Sequence, residues 1–264
     1  MFGRLARYYS SKRKTEPDCL TIGVILKSQL YRLGLVETAT VIIPIKDEER
    51  GLRFLLRDFR ESQLFGNPNI RMIFVIDERT KDSSKSIAME FSGVIIDQKG
   101  TKGKGAAIKQ AVAEWKSRPS SYVVFLDADG SYSFDSVVRV MDELSNGAEV
   151  VSGSRFLGKF RRPKGMNKLH IFGNRALSFV SSIRNRRRIT DLCTGLWGFS
   201  EDALNSIEIE SNGFDLEAEI AGLSRRAGLS HVEIPVEWSQ RKGGVSKLRS
   251  FRDGFFILMR ILRT

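Results

Sequence analysis

The sequence predicts an α/β protein built on a mainly parallel, doubly wound sheet. Three observations predict it: short β-branched runs recur along the chain, segments with apolar residues at helical spacing separate them, and polar or acidic residues follow the ends of several runs. The first run is TVIIPI (40–45), and DEERGLRFLLRDFRES follows it with Leu52, Leu55, Leu56 and Phe59 three or four residues apart. RMIFVID (71–77) is the second strand, KDSSKSIAMEFS (81–92) a helix entered through polar residues, and VIID (94–97) the third strand. GKGAAIKQAVAEWKS (103–117) reads as a helix with a glycine-rich entrance. YVVFLDADG (122–130) is a strand running into an acidic cluster, FDSVVRVMDELSN (134–146) a helix, and EVVSGSRF (149–156) the next strand. In sheets of this kind ligands bind beyond the carboxyl ends of the strands. Asp47, Glu48, Asp77, Glu78, Asp127, Asp129, Ser154 and Arg155 stand at those ends.

The second half is less regular. KLHIFGNRALSFVSSI (168–183) carries Leu169, Phe172, Ala176, Phe179, Val180 and Ile183 on one helical face, which either packs on the domain or lies in a membrane interface. GFDLEAEIAGLSRRAG (213–228) is a further helix and HVEIPVEW (231–238) a half-buried strand. Residues 1–37 are read as a basic amphipathic extension, 38–250 as the α/β domain and 251–264 as an amphipathic tail.

Composition narrows the function. With 264 residues, 41% hydrophobic and 28% charged, the chain is neither disordered, collagen-like nor a disulfide scaffold. Cys19 and Cys193 form no C-x-x-C pair, so no zinc site or disulfide framework is indicated. No apolar run is long enough to span a bilayer, and MFGRLARYYSSKRK has no apolar stretch directly after it, so no leader is expected. The net charge of +12 is unevenly spread. Residues 1–36 hold 7 Lys/Arg and 2 acids, 155–188 hold 11 and none, and 241–264 hold 7 and 1, so the remainder is net acidic. Basic segments on an acidic body call for an anionic partner: phosphates, an anionic membrane surface or nucleic acid. No helix-turn-helix, zinc-finger or RRM signature supports nucleic acid, which is expected not to be a partner.

Asp127-Ala128-Asp129 is the strongest chemical feature. Two carboxylates at the end of an apolar strand are costly unless a cation or donors compensate them. The pattern suits Mg²⁺ or Mn²⁺ held by one or two carboxylates plus phosphate oxygens; the competing reading is an Asx-type turn. Gly103-Lys104-Gly105 opens a helix whose N–H groups, with Lys102 and Lys104, are suited to an anion, or else form a surface turn. It is neither a Walker A motif nor a dinucleotide fingerprint.

Taken in order, TVIIPIKDEE, VIDERTKDSS, GKGAAI, FLDADG, GSRF, DLCTGLWGF, GFDLEAEI and PVEWSQRKGGVSKL resemble the inverting, GT-A-fold nucleotide-sugar glycosyltransferases of family 2. The nearest branch is the polyprenyl-phosphate sugar transferases, typified by the dolichyl-phosphate mannose and glucose synthases. The resemblance covers roughly residues 38–250 and implies a Rossmann-like, mainly parallel sheet flanked by helices, with amphipathic basic helices at a membrane surface. It implies transfer of a hexose, with inversion, from UDP-glucose, UDP-N-acetylglucosamine or GDP-mannose to polyprenyl (dolichyl) phosphate. It also implies a peripheral position on the cytoplasmic face and a Mg²⁺ or Mn²⁺ cofactor.

By position, Pro44, Glu48, Asp77, Lys104, Asp127 and Asp129 match the residues that hold the nucleotide sugar, and Asp127 with Asp129 the metal pair. At the second strand the chain departs from the family's D-D-G-S pattern: Glu78 stands for the second Asp and Arg79 for the Gly. Arg155, Lys168, Arg241, Ser246 and Lys247 match or lie near the acceptor-phosphate contacts, with His170 and Asn174 also near. Asp191 is expected to act as a base or to orient a sugar hydroxyl, or else to cap a helix or pair with Arg186–Arg188. Asp129, Asp191 and Arg155 are the expected catalytic set. Trp197 walls the sugar pocket or belongs to the core, and Glu217 reaches the same pocket or lies on a solvated helix face. A soluble or protein acceptor is the alternative reading, and it requires a true base, for which Asp191 is the candidate.

Overall fold

The computed structural model describes residues 38–158, 163, 165–243 and 250–264. The expectations for the extension 1–37 and for Ser246 and Lys247 fall outside the described residues.

β1 (Ala39–Ile45), β2 (Ile70–Asp77), β3 (Val94–Gln98), β4 (Tyr122–Leu126), β5 (Val150–Ser154), β6 (Leu196–Ser200) and β7 (His231–Pro235) form a seven-stranded sheet in the order β3-β2-β1-β4-β6-β5-β7. The pairings are parallel except those of β6, which runs antiparallel to both β4 and β5. The chain winds outward from β1 to β3 and then returns to the other side of β1 as β4. That reversal opens a crevice between the carboxyl ends of β1 and β4. β1 and β4 are apolar and buried along nearly their whole length, as strands covered on both faces must be.

Helices α1 (Glu49–Glu61), α2 (Ser84–Met89), α3 (Lys104–Ser117), α4 (Phe134–Ser145), α5 (Lys168–Asn185), α6 (Glu201–Asn205), α7 (Leu216–Arg226) and α8 (Ser250–Arg263) cover the sheet. The apolar spacing of α1 buries Leu52, Leu55 and Leu56, each contributing about 1.5–3 kcal/mol of transfer free energy. α4 starts where Ser133 Oγ accepts from the Ser136 N–H. α8 packs on α5 and α7 and buries Ile257 and Ile261. Trp197 is 2% exposed and donates Nε1–H to the Thr194 carbonyl at 3.1 Å, so it is a core residue and not a pocket wall.

One strand is absent from the sequence reading, and one helix shows which of its two faces is buried. LWGFS, read above as part of a motif, is strand β6, too short and too uniformly apolar to show an alternating period. Helix α5 is turned the other way round from an ordinary surface helix. Its buried positions are Asn174, Ser178, Ser181 and Asn185, whereas Leu169, Phe172, Phe179 and Ile183 are 48–72% exposed. The inner face is polar because it serves as a hydrogen-bonding surface. Asn174 Nδ2 donates to Asp191 Oδ1 at 2.6 Å, and Ser178 Oγ accepts from the Leu192 N–H at 2.9 Å.

The His231 ring stacks on Trp197 with centroids 5.3 Å apart and shares a 2.8 Å hydrogen bond with Ser152 Oγ. Burial, reinforced by Arg187, lowers its pKa from 6.5 to about 4. The folded protein thus keeps the ring neutral where the unfolded chain binds a proton. This contribution to stability is complete above pH 6.5 and is lost as pH falls toward 4, up to about 3 kcal/mol. His231→Phe keeps the stacked ring and removes the titration. Urea unfolding at about pH 7 and about pH 4.5 should show a smaller acid-induced loss in the variant than in the parent; equal losses would contradict a neutral buried imidazole.

Candidate active site

The crevice collects acids from strand ends and bases from distant segments. Asp47, at φ +47°, takes the left-handed turn out of β1, and its carboxylate accepts from the Lys81 N–H at 2.7 Å. Glu48 follows, 8% exposed, with its own N–H donating to Ser84 Oγ. Pro44 lies in β1 opposite Val75 of β2. Asp77 closes β2 and is held by Arg79, whose Nε donates at 2.7 Å, whose Nη2 bonds the second oxygen and whose N–H adds a third donor. Burial raises the Asp77 pKa, but these bonds outweigh it and hold the carboxyl below the usual range. Arg79, one of the two residues at which the sequence departs from the family pattern, therefore neutralises an acid expected among the nucleotide-sugar contacts.

The turn after β4 is placed by close backbone approach. A Cβ on Gly51 of α1 would lie 2.6 Å from the Asp129 backbone, and one on Gly195 would lie 1.9 Å from Asp127 Oδ2. Asp129 Oδ1 accepts from the Ser131 N–H at 2.9 Å, an Asx turn that fixes one oxygen, while Oδ2 meets Arg241 Nη2 at 3.1 Å. Arg241 Nη1 also donates to both oxygens of Glu48, at 2.6 and 2.7 Å. Arg241 thus bridges β1 and the post-β4 turn, and the adjacent Lys242 N–H donates to the Asp129 carbonyl. Asp127 Oδ1 pairs with Lys104 Nζ at 2.6 Å, and Lys104 pairs as well with Glu217 of α7 at 2.7 Å. Burial lowers the Lys104 pKa, but the two carboxylates outweigh it and keep the ammonium charged; burial also raises that of Glu217.

The glycine-rich entrance to α3 is not an anion cradle. Gly103 and Gly105 let the helix start dock on residues 211–213, where the N–H groups of Gly105 and Ala106 donate to the carbonyls of Gly213 and Asn212. The side chain of Lys104, not the helix amides, faces the crevice acids.

Arg155, just after β5, forms a second cluster. Its Nε and Nη2 donate to Asp191 Oδ2 and Oδ1 at 2.6 and 2.7 Å, its N–H adds 2.9 Å, and Nη2 also reaches the Cys193 carbonyl. Burial opposes charge on Arg155, but Asp191 more than restores it and raises the guanidinium pKa. Asp191 is fully buried and accepts from Arg155 and Asn174 on both oxygens. Each of its oxygens thus accepts two hydrogen bonds, and its arginine partner is Arg155, not Arg186–Arg188. Glu233 of β7 fixes this loop by accepting the Thr190 and Asp191 N–H groups at 2.9 and 3.1 Å. No motif marked Glu233, because its partners are backbone amides reached only through the β5–β7 pairing. Lys168 is exposed at the start of α5, outside this ion-pair network.

Among the described residues no group of three or more His, Cys, Asp or Glu converges as a metal cage. The pair Asp127 and Asp129 has the chemistry that suits a divalent cation drawing its other ligands from phosphate and water.

The sequence profile of glycosyl transferase family 2 matches residues 40–207. The chain is 26% identical over 228 residues to glycosyltransferase AglJ of Haloferax volcanii, covering 86% of this chain and 72% of that protein. It is 27% identical over 214 residues to a dolichyl-phosphate hexose transferase of the same organism, covering 81% and 88%. Its fold is similar to that of glucosyl-3-phosphoglycerate synthase from Mycobacterium tuberculosis crystallised with Mn²⁺, UDP and phosphoglyceric acid. That match has a TM-score of 0.69 at 14% identity and covers 96% of this chain and 84% of the other.

Asp191→Asn leaves the buried Arg155 guanidinium without its counter-charge. Denaturant unfolding should show a loss of about 3 kcal/mol or more. A change below about 0.5 kcal/mol, the range of ordinary surface substitutions, would contradict Asp191 as the buried counter-charge of Arg155.

Proposed function

The chain belongs to glycosyl transferase family 2 and is a glycosyltransferase, and we propose that it moves a hexose from a nucleotide diphosphate sugar to a polyprenyl (dolichyl) phosphate with inversion. The observation that carries this reading is the pairing of Asp127 and Asp129 with Lys104 and Arg241 at the sheet's switch point. Such a set suits a pyrophosphate: carboxylates for its cation, an ammonium and a guanidinium for its oxygens. The dolichyl-phosphate hexose transferase among the relatives supports the lipid acceptor.

In this reading Glu48 and Asp77 border the nucleoside, Lys104 and Arg241 turn from their carboxylates to the donor phosphates, and Asp127 with Asp129 hold Mg²⁺ or Mn²⁺. The ion, when bound, acts as a Lewis acid toward the departing diphosphate. Arg155, locked on Asp191 and Cys193 through Nε and Nη2, presents Nη1 to the acceptor phosphate. The acceptor oxygen forms a bond to the anomeric carbon as the bond from that carbon to the diphosphate oxygen breaks, and the electron pair leaves with the diphosphate. A phosphate is already anionic near neutral pH, so no side-chain base is required. Rate comes from positioning and from charge matched in advance. This agrees with an Asp191 that is saturated with hydrogen bonds, whereas a hydroxyl acceptor would require a base. A lipid-borne acceptor places the protein at a membrane surface. Among the described residues no helix is long and apolar enough to cross a membrane.

In a thermal-shift screen of UDP-glucose, UDP-N-acetylglucosamine and GDP-mannose, one donor should raise the melting temperature by about 5 °C or more at roughly hundredfold excess over Kd, only with Mg²⁺ or Mn²⁺ present. Asp129→Asn should abolish that shift while the unliganded variant remains folded. A metal-independent shift, or one that survives the substitution, would overturn the site.

A further inference from the structure

The polar inner face of α5 leaves its apolar stripe uncovered. Leu169, Phe172, Phe179 and Ile183 follow one another along the exposed side, and α8, packed beside α5, adds exposed Phe255, Phe256 and Leu262. At the C-terminal end of the same helix lies a pocket of about 500 Å³. Arg175, Arg186, Arg187 and Arg188 rim it, and its apolar wall is shared with the stripe through Phe179 and Ile183. Arg186 ends the helix in the left-handed conformation, φ +48°, and so turns the three successive arginines around the pocket. Arg187 is anchored by donating Nη2–H to the Leu229 carbonyl at 2.7 Å. Among the described residues, Arg186 and Arg188 are exposed and have no carboxylate partner. None of the crevice residues Asp127, Asp129, Arg155 and Arg241 lines this pocket.

We propose that the pocket is a second anion site, which takes the phosphate headgroup of an anionic phospholipid while the α5–α8 stripe rests in the outer part of the same leaflet. The inference rests on the membrane-surface reading above and deepens it by naming the surface and the lipid chemistry. Guanidinium groups around an apolar wall match a phosphate carried on an acyl chain, and exposed aromatics beside them match the headgroup boundary. A second copy of this chain is a poor occupant. Residues 155–188 carry 11 basic side chains and no acid, so a symmetric dimer through this face would set arginines against arginines.

The test is sedimentation of the full chain with vesicles of phosphatidylcholine alone, or of phosphatidylcholine with phosphatidylglycerol. The parent should partition onto the anionic vesicles, and increasingly weakly as salt is raised. Arg186→Gln with Arg188→Gln should weaken that partitioning by roughly tenfold to thirtyfold, and Phe172→Ser with Phe179→Ser should weaken it on both vesicle types. Inorganic phosphate added at constant ionic strength should not release the protein. Equal binding to both vesicle types, or an arginine variant that binds like the parent, would overturn the proposal. So would a pocket that takes up inorganic phosphate while vesicles are ignored, or a vesicle-free dimer that depends on Phe172 and Phe179. The arginine variant should keep the metal-dependent thermal shift with nucleotide sugar. A parent that shows the donor shift but does not bind anionic vesicles therefore refutes this site, whereas a parent that binds those vesicles but shows no donor shift refutes the proposed reaction and leaves this site standing.

Discussion

Six acids crowd the carboxyl edge of the sheet: Glu48, Asp77, Asp127, Asp129, Asp191 and Glu217. The site depends on how that charge is compensated. Carboxylates a few ångströms apart in a partly desolvated crevice repel by several kcal/mol at the effective dielectric of protein surroundings. Here Arg79, Lys104, Arg155 and Arg241 each take one or two of them. Two of these arrangements are shared bridges, Lys104 between Asp127 and Glu217 and Arg241 between Glu48 and Asp129. Each draws together segments more than a hundred residues apart in sequence. In the proposed reaction these two shared cations turn from their acids to the donor phosphates, and the acids freed would hold the divalent ion. The Arg155–Asp191 pair is different in kind. It is buried, bidentate and tied to Glu233 through backbone amides, so it holds one guanidinium rigidly at the end of β5.

Much of this was legible in the sequence, and for definite reasons. Parallel strands covered on both faces must be continuously apolar, so TVIIPI, RMIFVID and YVVFL announce themselves, and the polar residues that follow them mark the ligand edge. Strand β6 escaped because LWGFS is short and has no period of its own. The orientation of α5 escaped because periodicity reports that a helix has two unlike faces and not which one is buried. Only the packing shows that Asn174 and Ser178 point inward to hydrogen-bond the Asp191 loop and that the phenylalanines point outward. Partner identities escaped for a similar reason. Asp191 follows RNRRRIT in the chain, yet its arginine is Arg155, brought beside it from the far end of β5. Glycine carried information that the motifs obscured. Gly103 and Gly105 serve close packing against residues 211–213, and Gly51 and Gly195 clear space around the Asp127–Asp129 turn.

The charge map and the fold together separate two roles for basic residues. Lys104, Arg155 and Arg241 face acids inside the crevice, and in the proposed reaction they meet the donor and acceptor phosphates. Arg186 and Arg188 stand outside it, next to exposed aromatic side chains, where the neighbouring surface is suited to lipid. An enzyme whose acceptor is dissolved in a bilayer needs both: a crevice that neutralises pyrophosphate and an outer face that keeps the crevice at the leaflet.

The most direct measurement follows a radiolabelled sugar from its nucleotide donor into organic solvent. With the full chain, Mg²⁺ or Mn²⁺ and polyprenyl phosphate in vesicles, label should appear in an extractable glycolipid of inverted anomeric configuration, and chelation of the metal should abolish it. Label that passes only to water or to soluble sugars, or glycolipid that forms undiminished without a divalent cation, would contradict the account.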